Sequence, residues 1–322
     1  MKLFDLHCDT LYECFETGKH LRENDLHINR AAAGKYEHYA QFFALFCGAR
    51  GPSAAMRMGR TCLLDTPPDE RLFRMLETAQ REFADNADWL MPCKSATDLE
   101  EAVRQKKCAA FLSIEGAELL PNREDALDLA YDAGVRLITL TWNYRSRYGC
   151  SSAVEQGEGL SEAGRTLVRD CAEKGIIVDV SHLSDQGFWD VCEEIDAPFV
   201  ASHSDARVMR NHPRNLTDKQ FIEIANRRGL VGINLYTPFL VRQSDSVLED
   251  ALDHIEHFLG MYGEKVLALG CDLDGCEQLP AGINGLADLY RLADLMLSKG
   301  YKESTVNGLF YDNAFAFIHR ML

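Results

Sequence analysis

The chain has 322 residues, 46% hydrophobic and 26% charged, and its 34 basic and 50 acidic side chains leave a net charge of −16. That is enough apolar material for a large core, and the acidic surplus argues against a general nucleic-acid or anionic-membrane surface. No run approaches the ~18 apolar residues of a spanning helix, the start MKLFDLHCDT lacks the apolar stretch of a secretory leader, and the eleven cysteines include no CxxC, so reduced thiols in a cytoplasmic protein are expected.

In chain order, short apolar runs predict strands at 2–8, 40–47, 108–114, 135–141, 176–181, 197–202, 229–235 and 265–271. Between them lie amphipathic stretches with helical spacing, such as PPDERLFRMLETAQREFADNADWL, SEAGRTLVRDCAEKG and ADLYRLADLMLSKG. Gly175 and Gly300 follow last turns that carry lysine, and Asp218 is placed to open the helix DKQFIEIANRRG. Eight strands alternating with helices, with no Gly/Ser/Pro linker, predict an α/β chain folded as one (β/α)8 barrel, a single domain over 1–322. An open doubly wound sheet would need a glycine-rich turn after the first strand, where the chain reads CDTLYECF. Segments 17–39, 48–66 and 143–160 read as long loops on the catalytic face of such a barrel.

Four strand-like runs carry five potential metal ligands at their C-terminal ends: His7 and Asp9 in KLFDLHCDT, Glu115 in AAFLSIEGA, His182 in GIIVDVSHLS and His203 in APFVASHSD. Pleat alternation puts His7 and Asp9 on one side and Cys8 on the other. Singly, each has an ordinary explanation: a hydrogen-bonded core histidine, a helix cap at Asp9, a salt bridge at Glu115. Jointly, five ligands at the same end of their strands point to one metal site, of a composition that suits zinc or another borderline divalent ion. Five ligands with a carboxylate able to bridge suit two ions. Asp272 and Asp274 close the last strand-like run; the first is the better placed proton carrier and the second reads as a loop-stabilising residue. Arg214 in HPRNLTD can grip a substrate carboxylate, with Arg207 and Arg210 read as solvated charges. His254 and His257, three apart on a helical pattern, read as surface or interface residues.

The segments DLHCDT, SIEGAE, GLSEAGRTLVRDCAEKGIIVDVSH, SHSDARVMRNHPRNLTD and GCDLDG resemble the renal (membrane) dipeptidase family of the metal-dependent amidohydrolase superfamily, and the likeness extends to GLFYDNAFAF near the C-terminus. The resemblance implies two zinc ions, one held by His7 and Asp9, the other by His182 and His203. Glu115 would bridge them together with a water or hydroxide that attacks the dipeptide. It further implies Asp272 as the proton shuttle, Arg214 as the anchor of the substrate's carboxylate, Tyr236 in the substrate pocket, and a homodimer as in many relatives. The chain departs from the family at Trp142, which stands where the best-known members carry a histidine that contacts the substrate carbonyl. An indole donates one N–H but cannot be a cation, so Asn143, Tyr144, Arg145 and Arg147 are candidate substitutes. Two alternatives follow: hydrolysis of a non-peptide amide or lactone at the same metals, or a metal-binding relative that has lost peptidase activity.

Overall fold

A computed structural model describes residues 1–48, 62–154 and 157–322. Most of the predicted 48–66 insertion therefore lies outside the described residues. Nine strands follow in chain order: β1 (Lys2–Cys8), β2 (His38–Phe46), β3 (Leu90–Pro92), β4 (Cys108–Glu115), β5 (Val135–Thr139), β6 (Ile177–Asp179), β7 (Val200–Ala201), β8 (Leu230–Ile233) and β9 (Leu267–Leu269). All pairings are parallel, and the order β2-β1-β9-β8-β7-β6-β5-β4 closes through the pairing of β2 with β4. The eight closing strands are those the sequence predicts, and together with the flanking helices they form a (β/α)8 barrel. The unpredicted β3 is three residues long and pairs with the start of β4 alone.

The helices follow from local chemistry. The helix Glu162–Lys174 starts at Ser161, whose hydroxyl accepts the Gly164 N–H, and stops at Gly175 with φ 75°, a left-handed conformation that suits glycine. Asp218 is the first helical residue of Asp218–Asn226, but the cap is Thr217, in a reciprocal pair with Gln220. The run GLFYDNAFAF forms a π-helical segment, Gly308–Asp312, that leads into the last helix, Asn313–Met321.

Inward-facing positions change character as each strand rises. A lower layer of Phe4, Phe111, Leu137, Ile177, Val200 and Leu230 is apolar and packs on Tyr311 and Phe317 of the C-terminal segment. One pleat further on the same face come Ser113, Thr139, Asp179, Ser202, Gly232 and Gly270, all buried. A Cβ at Gly232 or Gly270 would overlap the Ser202 carbonyl oxygen, so β7, β8 and β9 approach more closely than other residues allow. The top layer contains Glu115, Asn234 and Asp272.

Strand β1 breaks the pleat. Its register against β2 shifts between Asp5 and Cys8, and the Asp5 Oδ1 accepts the N–H groups of His7 (3.4 Å) and Cys271 (2.9 Å). Phe4 and Leu6 belong to the inner cluster and Cys8 to the outer one, so simple alternation fails here. The bulge turns His7 inward. Among the described residues, no helix is long and apolar enough to cross a membrane.

His254, expected at the surface or an interface, is 1% exposed. Its Nδ1 accepts the Ala206 N–H (3.0 Å) and its Nε2 faces the Leu240 carbonyl (3.0 Å), tying the helix Leu248–Gly260 to the loops after β7 and β8. Burial holds its pKa down, from 6.5 to about 4. The unfolded chain therefore takes up this proton first as pH falls, and the stability that neutral His254 supplies above pH 6.5 fades toward pH 4, by about 3 kcal/mol. His254→Gln should lose correspondingly less stability across that window in urea titrations; an unchanged loss would assign the acid sensitivity to another group.

Candidate metal centre

The five predicted ligands meet at the C-terminal mouth of the barrel, none more than 6% exposed. His7 Nε2 lies 3.3 Å from Asp9 Oδ2, 3.6 Å from Glu115 Oε2 and 3.8 Å from Asp272 Oδ1. The other Glu115 oxygen, Oε1, is 3.0 Å from His182 Nε2 and 3.6 Å from His203 Nε2. Among the described residues, two groups of three side chains converge their donor atoms within 4.8 Å: His7, Glu115 and His203, and His7, Asp9 and Asp272.

Asp9 precedes the helix Thr10–Thr17 but makes no capping hydrogen bond, and its buried Oδ1 has no hydrogen-bond partner among the described residues. The helix-cap explanation therefore fails, and the carboxylate faces His7. His182 (φ 67°) and Asp272 (φ 60°) occupy the left-handed region, which turns their side chains away from the ordinary pleat. Such conformations cost of order 1–3 kcal/mol each and concentrate at functional sites.

The histidines discriminate between metal site and core packing. His182 Nδ1 lies 2.8 Å from Asn143 Oδ1, an oxygen that can only accept. His182 therefore carries its proton on Nδ1, and its Nε2 is a bare lone pair. Yet that Nε2 is 2.9 Å from His203 Nε2, and burial together with nearby Arg214 and His7 holds both rings well below the ordinary histidine range. Bare nitrogens aimed at each other and at a carboxylate oxygen repel unless a proton or a metal cation lies among them. His7 behaves oppositely: burial pulls its pKa down, but the Glu115 and Asp9 carboxylates outweigh this and hold it well above 6.5. Burial, reinforced by Asp9, pushes Glu115 up to about 8. Burial also raises Asp272. The cluster is short of positive charge, and its nitrogen and oxygen donors fit a divalent metal ion.

Asn234 donates its Nδ2 to Asp272 Oδ2 (3.1 Å), which leaves Asp272 Oδ1 toward His7. Asp274 takes no part in the cluster. It accepts Thr10 Oγ1 (2.5 Å) and the His27 N–H (2.7 Å), and so fastens the 17–39 segment to the barrel mouth as a loop-stabilising residue. Arg214 is 5% exposed and donates to Ser204 Oγ (2.7 Å) and the His203 carbonyl (2.8 Å). Its buried Nε has no hydrogen-bond partner among the described residues. Tyr236, half-buried, packs edge-to-face on Phe239, which lies beneath the Arg214 guanidinium. Arg207, read as a solvated charge, instead forms a two-armed pair with Asp185 at 2.6 and 2.7 Å.

Trp142 stands 6.3 Å from the His182 ring, between Phe46 (5.0 Å) and Tyr144 (5.2 Å). Of the four residues considered as substitutes, Asn143 reaches the site, but as a support of His182. Arg147 is held by Asn122 Oδ1 and the Leu120 carbonyl, Arg145 pairs with Glu158, and Tyr144 packs edge-to-face on Trp142. The roles of Asn143 and Asn234 were not legible in the sequence, because neither lies in a ligand-like pattern and each acts on a distant residue.

The membrane dipeptidase family (peptidase family M19) matches residues 1–320. An uncharacterized protein from the pqqA 5′ region of Klebsiella pneumoniae is 33% identical over 256 residues, 76% of this chain and 94% of that one. The dipeptidase tcpJ of Claviceps purpurea is 30% identical over 241 residues, 73% of this chain and 56% of its own length. Among solved structures, a metallo peptidase from Rhodobacter sphaeroides, liganded with a phosphinate mimic of the dipeptide L-Ala-D-Ala, superposes with a TM-score of 0.87 at 27% identity, over 100% of this chain and 99% of that one. The dipeptidase AC, a metallo peptidase of family M19, gives 0.88 at 26% identity with the same coverage. The strand-end ligands and the match along the whole barrel agree: the chain belongs to the membrane dipeptidase family, peptidase family M19.

Proposed function

We propose that the chain is a zinc-dependent dipeptidase with two ions, one held by His7 and Asp9, the other by His182 and His203, and both by Glu115. The observation that carries this reading is the division of the Glu115 carboxylate, with Oε2 toward His7 and Oε1 toward His182 and His203. Gly275 supports it, since a Cβ there would overlap both Asp9 Oδ2 and Asp272 Oδ1 and close the space between them. Zinc bound in such a site supplies Lewis acidity and lowers the pKa of water to near ~7.

The remaining work falls to the chain. Asp272 takes the proton of the attacking water on Oδ1 and returns it to the departing amine, while Asn234 holds Oδ2 still. Arg214, fixed by Ser204 and the His203 carbonyl, anchors the C-terminal carboxylate of the substrate and so favours short peptides. Tyr236 and Phe239 form the apolar side of that pocket. The wall of Phe46, Trp142 and Tyr144 beside His182 favours a second reading, a non-peptide amide or lactone as the substrate. Trp142 stands where the best-known members of the family carry a histidine; an indole cannot be a cation, and loss of a donor to the carbonyl costs ~10²–10³ in rate where nothing replaces it.

Elemental analysis, run with a panel of L,L and L,D dipeptides, tests the assignment. About two zinc per chain with chelator-sensitive cleavage is expected, as for a two-metal hydrolase. Less than one zinc after metal addition would reject it. Asp272→Asn should lower kcat by ~10²–10⁴ with zinc content retained. Arg214→Ala should lower kcat/KM for dipeptides by about 100-fold or more and leave a neutral lactone nearly untouched; equal losses on both would remove the carboxylate anchor. Gly275→Ala should fold but take up less zinc, read as metal per chain at matched circular dichroism.

A further inference from the structure

Asp179 has no part in the reading above, yet it is fully buried inside the barrel, one layer below the ligands. Its Oδ1 accepts the backbone N–H groups of Ser181 (3.0 Å) and Ser202 (2.9 Å). Its Oδ2 accepts the hydroxyls of Thr139 (2.6 Å) and Ser202 (2.6 Å). A hydroxyl has one proton to give. Ser202 gives that proton to Asp179, so it meets His203 Nδ1, 2.7 Å away, with a lone pair. The proton in that contact must come from the imidazole.

The relay therefore has a direction: His203 Nδ1–H to Ser202, and Ser202 O–H to Asp179. We propose that Asp179 is a positioning residue that acts through Ser202 to keep the proton of His203 on Nδ1, so that Nε2 stays bare for a metal ion. This rests on the metal reading given above, but it concerns the proton on the imidazole, which exists with or without the metal. Outer partners of this kind fix the tautomer of a ligating histidine, and their loss typically lowers metal affinity ~10–100-fold. Two other histidines frame the contrast. His182 gains the same tautomer from a neutral partner, Asn143. His7 Nδ1 has no hydrogen-bond partner among the described residues. The relay also continues sideways: Ser181 Oγ accepts the His203 N–H (3.1 Å) and meets Ser204 Oγ (3.2 Å), the hydroxyl that holds Arg214. One buried carboxylate thus lies behind both a proposed ligand and the proposed substrate anchor.

Asp179→Asn tests the direction without changing shape. The asparagine keeps an oxygen for the two backbone N–H groups but turns an NH2 toward Ser202. Ser202 then accepts from the amide, and its own proton turns to His203 Nδ1. The imidazole proton moves to Nε2, where it competes with the metal. Ser202→Ala breaks the relay without reversing it. Chelator-treated protein labelled with 15N-histidine, with the His203 signal assigned by its loss in His203→Gln, gives the tautomer from two-bond 1H–15N correlations. Zinc affinity follows from competition with a chromophoric chelator, and the thermal midpoint of each metal-free variant reports folding.

The expected result is Nδ1–H in the unaltered chain, Nε2–H in Asp179→Asn with zinc affinity at least ~10-fold weaker, and a mixed tautomer in Ser202→Ala. A lower thermal midpoint in Asp179→Asn with an unchanged tautomer and zinc affinity would make Asp179 a structural residue and overturn the proposal. Should Asp179→Asn not fold, Nε2–H in the unaltered metal-free chain, or an unaltered tautomer in Ser202→Ala, overturns it equally. An unaltered chain that binds no zinc would end the metal reading, while the tautomer would still decide this one.

Discussion

The structure depends on the burial of carboxylates and imidazoles at one end of a barrel that has too few positive groups to balance them. Asp9, Glu115 and Asp272 lie within reach of one another, with His7 and Arg214 as the nearby cations. Taking ionised groups out of water costs several kcal/mol each unless they are paired. Without further charge the cluster meets that demand by holding protons, on His7 and on Glu115. A divalent cation would meet it without protons, and would set the bare nitrogens of His182 and His203 to use. The same imbalance accounts for the unpartnered Asp9 oxygen, which nothing among the described residues satisfies.

The barrel makes such a cluster tolerable by grading its interior. Apolar side chains fill the lower layer, hydroxyls, glycines and Asp179 the next, and carboxylates and histidines the top. Three buried aspartates, Asp5, Asp179 and Asp205, accept backbone N–H groups where the strands end and regular ladders stop. They replace lost backbone hydrogen bonds, which would otherwise be unsatisfied in a dry interior. Rigid strand ends fix the proposed ligands, while the loops they carry bring Arg214 and Tyr236 beside them.

Much of this was legible in the sequence because strand periodicity and ligand chemistry coincide. His182 and His203 follow apolar runs that read as barrel strands, and Glu115 ends another, so a common mouth follows once the fold class is a barrel. The supports were not legible. Asn143 reaches His182 from another loop, and Ser202 relays to an aspartate on the neighbouring strand; single-chain spacing carries no trace of either contact. His254 shows the opposite failure. Beside His257 on a polar-looking helix it suggested the surface, whereas two backbone groups of neighbouring loops claim its ring. The three-residue β3 is too short to leave a periodic signal.

The bulge in β1 has a consequence for anyone who would rebuild this barrel. His7 faces inward because the strand holds one residue more than its neighbour, with Asp5 pinning the slack. An idealised strand of the same sequence, freed of that extra residue, would point the imidazole into the helical layer and leave Cys8 at the mouth. The proposed ligand set is thus encoded partly in an irregularity, and a backbone smoothed toward perfect geometry would be a worse template for it than the imperfect one.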